Sequence, residues 1–109
     1  MIQLIKTLVL TSVLVMSVNS VVAGGLPNKD VICERVGMYG HFARQAMTLR
    51  HLGESRQDVL ALVDRNQPGM NKVMPSIEYI VDQVFSNNEE TYPAYADRFL
   101  YDECGLERP

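Results

Sequence analysis

From Val31 to about Leu52 the apolar residues return with a helical period and not with the alternation of a strand. At 100° per residue, Ile32, Val36, Tyr39, Phe42, Ala43, Ala46, Met47 and Leu49 fall on one broad arc, and Glu34, His41, Gln45 and Thr48 fall opposite. The spacing predicts one long helix, with Asp30 as its N-cap and Gly53 as a left-handed stop. Ser55 opens a second helix, because Asp58 stands three residues on in a capping-box position and Val59, Leu60, Leu62 and Val63 form an apolar patch. Pro68-Gly69 predicts its end near Asn66.

In the third helix Val73, Met74, Ile77, Ile80, Val81, Val84 and Phe85 share one face. Pro75 either sits in its first turn, where the missing N–H costs nothing, or interrupts a helix that starts near Asn71; the first placement is preferred, and it makes Ser76 a first-turn residue. After a solvated connector at Asn87-Asn88-Glu89-Glu90, a fourth helix runs from Tyr92-Pro93 to Cys104, with Tyr95, Ala96, Phe99 and Leu100 as its apolar members and Gly105 as its end. The expected fold is therefore all-α, a four-helix array within one domain spanning residues 24–109.

The beginning of the chain has a different pattern. Lys6 is followed by an apolar run from Leu8 to Val18, and then by Val21-Val22-Ala23 before Gly24. A short basic region, an apolar stretch and a small-residue cleavage site make residues 1–23 a signal peptide cut after Ala23. The alternative is a retained membrane anchor, but Asn19 and Ser20 interrupt the run and no basic stop-transfer cluster follows, so no stable anchor is expected after the cut. The expected location is periplasmic or secreted.

Export changes what the cysteines mean. Cys33 and Cys104 are the two cysteines of the chain, and in an oxidising compartment an even count in so short a sequence predicts a bridge, here between the first and last helices. Closing a loop of about 72 residues contributes roughly 4 kcal/mol on the chain-entropy account, a large share for a domain with a small core. Charge adds a second asymmetry. Lys6 is the one charged residue of the leader, so the remainder keeps 10 − 1 = 9 basic residues against 13 acidic ones, a formal charge of −4. Residues 29–72 hold seven basic and five acidic residues, whereas residues 73–109 hold two and eight. The two halves should attract one another, and the acidic half is a candidate face for a basic partner. Nucleic acid is not an expected partner, since no basic patch is present to meet phosphate.

Candidate chemistry is sparse. His41 and His51 lie about 80° apart around a helix and about 15 Å along it, too far to share a metal, and no zinc-binding spacing occurs; no cofactor is expected. Ser55 reads as a cap, and no nucleophile motif is present, so no catalytic residue is assigned. Arg50 stands out because it falls inside the apolar arc of the first helix. It must snorkel, pair with an acid or floor a pocket; Glu78, Asp82 and Asp97 are the candidate partners, for a buried ion pair or for binding. Cys33, Gly37 and Gly40 fall within about 60° of one another beside that arc. Two helical glycines cost roughly 1 kcal/mol each relative to alanine, and a close approach of the fourth helix would explain them.

The string Ala46-Met47-Thr48-Leu49-Arg50-His51-Leu52-Gly53-Glu54-Ser55, with Cys33 upstream and Cys104 at the end, resembles a loose group of small exported bacterial all-helical proteins of unassigned function. The resemblance implies an envelope location and the bridge, and brings no active site. The expected function is recognition of another macromolecule, most readily a protein, without catalysis. The alternatives are a small hydrolase or ligand carrier using Arg50 and nearby carboxylates, and an acid-stress chaperone that loosens when the C-terminal acids are protonated.

Overall fold

The computed structural model describes residues 25–86 and 92–108; the expected leader and its expected cut after Ala23, and the expected connector at residues 87–90, lie outside the described residues. Among the described residues, five α-helices and one 3-10 turn follow in order: α1 (Lys29–Glu34), α2 (Val36–His51), α3 (Arg56–Ala61), α4 (Met70–Ser86), the turn Pro93–Tyr95, and α5 (Arg98–Glu103). The fold is all-α, and Cys33 of α1 is bonded to Cys104 at the end of α5, with their Cα atoms 5.6 Å apart.

The long first helix is two helices. Arg35 leaves the helical region at φ −132° and ψ 42°, so α1 ends there and α2 begins. Asn28, and not Asp30, is the N-cap residue of α1; its side-chain amide donates 2.6 Å to the Lys72 carbonyl and ties α1 to the first turn of α4. Asp30 instead places its charge in the first turn, where the helix dipole favours an anion. At the other end of α2 the expected stop is present. Gly53, at φ +94°, donates to the Arg50 carbonyl and Glu54 donates to that of Leu49, both at 3.0 Å, the paired bonds of a Schellman motif.

Ser55 and Asp58 form the expected capping box of α3, the hydroxyl accepting from the Asp58 amide and the carboxylate from the Ser55 amide. The helix stops at Ala61, short of Asn66, and Leu62 and Val63 lie in the turns beyond it. Helix α4 begins at Met70, so Pro75 lies in its second turn and not its first. Its ring faces solvent, and its missing N–H would have served the Asn71 carbonyl. Ser76 is accordingly no first-turn residue: it is fully buried and donates to the Pro27 carbonyl, which holds the N-terminal segment against α4.

The predicted fourth helix is also divided. Tyr95 and Ala96 close the 3-10 turn, and regular helix resumes only at Arg98. Asp97, at the junction, turns its carboxylate to Arg44 and gives no side-chain cap to α5. Ile32, Met47, Ile80, Val81 and Leu100 are buried at the centre, one contribution or more from α1, α2, α4 and α5. Val59 and Leu60 bring α3 onto the same core.

Candidate binding cleft

Helix α2 is longer than the surface its neighbours can cover. With only six residues, α3 shields part of the apolar arc, and the chain continues through turns at 62–69, whose Leu62, Val63 and Gln67 edge the uncovered part before α4 begins. What remains is a cleft of about 370 Å³ between α2, the end of α3 and the start of α4. Met38, Phe42 and Leu49 form one wall, Leu62 and Val63 the opposite rim, Met70 one end, and Ile77 and Val59 the floor. Gln45, Gln67 and the Tyr39 ring with its hydroxyl are its polar-bearing side chains, and among the described residues no charged side chain lines it.

A shallower recess between Gln45, Thr48, Leu49 and Leu62 continues the same apolar surface. The rim projects into water: Leu62 is 70% exposed and Met38 51%. Single exposed apolar residues are ordinary, but several gathered around one concavity mark a surface built for contact. Met38 and Met70 add unbranched side chains that adapt to the shape of what they meet.

The ionic groups lie elsewhere. Arg44 Nη2 donates to Asp97 Oδ2 at 2.7 Å, with the Asp97 side chain 5% exposed. Arg56 is bonded to Asp82, and Glu78 adds its field to the same guanidinium, raising the Arg56 pKa above its ordinary value chiefly through the Asp82 hydrogen bond. Of the three carboxylates considered for Arg50, Asp97 is thus bonded to Arg44 and Asp82 to Arg56, while Glu78 acts on the Arg56 guanidinium through its charge. Arg50 is half-buried and donates from Nη1 to the Val84 carbonyl at 2.8 Å, near the C-terminal end of α4, where a cation suits the helix dipole. It is not a lining residue of the cleft. His41 and His51 are exposed, and among the described residues no group of three or more His, Cys, Asp or Glu is placed to hold a metal.

Tyr79 of α4 donates to Glu103 Oε2 at 2.6 Å and packs edge-on against Phe99, ring centroids 6.2 Å apart. Burial first, and the bond to Glu103 second, push its pKa well above the ordinary tyrosine value.

Two features escaped the sequence pattern. The cleft did, because a wheel scores Phe42 and Leu49 as core without asking whether a short α3 can reach them. The Arg44–Asp97 pair did as well, although a clue was present: Gly40 and Arg44, one turn apart, mark a face where an acidic side chain can come close. Compared with family models, with curated proteins and with solved structures, the chain matches none.

Proposed function

We propose that this is a small exported recognition protein that acts without catalysis, holding an apolar stretch of another polypeptide in the cleft between α2, α3 and α4. The observation that carries the reading is the apolar cleft with exposed Met38 and Leu62 at its rim. An amphipathic helix laid along such a groove buries its apolar face and leaves its polar face in water. A small molecule filling about 370 Å³ would cover the floor and leave those rim side chains wet, whereas a polypeptide covers both. The two glutamines offer hydrogen bonds at the rim without imposing a charge on the partner. Export is supported by the leader pattern and by the Cys33–Cys104 bridge, which an oxidising compartment would maintain. No described helix is long and apolar enough to cross a membrane.

The test is site-specific photo-crosslinking in the producing cell, with the crosslinker at Leu62 or at Leu106, which is exposed but not in the cleft. A discrete adduct from position 62 and none from 106 supports the reading, as does loss of binding to the purified partner in Leu62→Glu. Equal labelling from both positions, or a partner bound equally by Leu62→Glu, excludes it.

A further inference from the structure

Residues 73–109 hold two basic residues against eight acidic ones, and the structure brings both of those cations, Arg98 and Arg108, to one small concavity. Arg44 of α2 lines it with them, and Tyr95, Asp97 and Tyr101 complete its polar lining. The volume is about 130 Å³, and no residue is shared with the apolar cleft of about 370 Å³. Gly40 makes the arrangement possible, because its missing side chain lets Asp97 come close to α2 and accept from Arg44 Nη2.

The lining carries three arginines and one aspartate, a formal charge of 3 − 1 = +2, in a chain whose net charge is −3. Asp97 accepts from Nη2 of Arg44, whose side chain is still 38% exposed, so its terminal nitrogens keep N–H groups for a second acceptor. Arg108 Nη1 donates to Asp102 Oδ1 at 3.2 Å, a pair with both side chains largely in water that holds the guanidinium only weakly. With Asp102 counted, the group is still at +1. Three arginines around one concavity do not form the stripe that follows a nucleic-acid backbone; they surround a single group.

We propose that this concavity binds one tetrahedral oxyanion of the phosphate class, held by Arg44, Arg98 and Arg108 with the hydroxyls of Tyr95 and Tyr101 as further donors. Guanidinium forks match phosphate oxygens and, being weakly hydrated, exchange water for an anion at small cost. The arginines stand on three separate pieces of chain: α2, the first residue of α5, and the C-terminal tail. Donors on separate segments reach a common point from different directions. That suits four oxygens disposed around a centre, whereas a carboxylate offers two oxygens in one plane. The tyrosine rings add apolar walls, which lower the local dielectric and strengthen each contact. A phosphate ester presents the same oxygens with one turned outward, so free and esterified phosphate share this chemistry.

The product purified from cells expressing the full chain is titrated at constant ionic strength with inorganic phosphate, glycerol phosphate and acetate, and the arginine Nε–H resonances are followed. The expected result is saturable shifts at Arg44, Arg98 and Arg108 and none at Arg65, an exposed arginine outside the concavity. Arg108→Gln should weaken phosphate binding about tenfold, as loss of a charge-assisted bond does. Asp102→Asn should tighten it about two- to fivefold by releasing Arg108 from an exposed pair, a gain that a misfolded variant could not produce. Given those shifts, glycerol phosphate bound as tightly as phosphate assigns an esterified ligand, and weaker binding assigns the free ion. Unsaturable shifts shared with Arg65, phosphate affinity unchanged in both variants, or acetate bound as tightly as phosphate overturns the proposal.

Discussion

At the scale of single residues, Gly37 and Gly40 show how neighbouring positions of one type take opposite roles. Around Gly37 a Cβ meets nothing within 4 Å, whereas at Gly40 it would stand 2.6 Å from Asp97 Oδ2 and 3.2 Å from Asp97 Cβ. The carboxylate cannot retreat freely, because Arg44 holds it. Gly37→Ala should therefore stabilise the protein by about 0.5–1 kcal/mol through helix propensity, and Gly40→Ala should destabilise it by about 1–3 kcal/mol through overpacking, both read by urea unfolding. Tyr79 gives a second residue-scale expectation. Its raised pKa means the folded state holds the phenolic proton longer than the unfolded state, so this contribution is complete below about pH 10 and is lost as pH rises beyond it. An ultraviolet titration should show one tyrosine ionising late, and Tyr79→Phe should abolish that phase.

At the scale of elements, local signals held where the partner of each backbone group lay nearby in sequence. The Ser55–Asp58 capping box and the Gly53 stop have their partners within five residues, so they were readable from the chain. The interruptions at Arg35 and Ala96–Asp97 were not, because the second is decided by Asp97 meeting Arg44 across 53 residues. Pro75 lay between these cases: the sequence permitted both a first-turn and a later position, and the start of α4 at Met70 settled it. Since Pro75 is exposed and denies a bond to Asn71, Pro75→Ala should stabilise α4 by about 1–3 kcal/mol, visible as a higher midpoint in thermal unfolding.

At the scale of the molecule, the bridge and the cleft pull in different directions. Cys33–Cys104 joins the two six-residue helices α1 and α5 to each other, and helices this short have little stability of their own. Reduction, or Cys33→Ser with Cys104→Ser, should cost up to about 4 kcal/mol, measured as a shift of the urea midpoint with and without reductant. The cleft contributes nothing comparable to stability at its rim. Leu62→Glu, at a position 70% exposed, should change unfolding free energy by no more than about 0.5 kcal/mol while removing any apolar contact made there.

The helical period, the capping box, the glycine stop and the cysteine pair determined an all-α chain closed at its ends, since each depends on residues close in sequence or on a pairing with one possible solution. Tertiary structure alone decided which acid faces which arginine, and which part of the α2 arc stays uncovered. Arg50 falls on the apolar arc by its spacing, and its Nη1 donates to Met47 Sδ and to the Val84 carbonyl, the latter a backbone choice that no side-chain pattern encodes. The cleft exists because α3 stops at Ala61, and the area one helix leaves bare on another depends on their lengths and placement together, which a periodicity read one helix at a time does not contain.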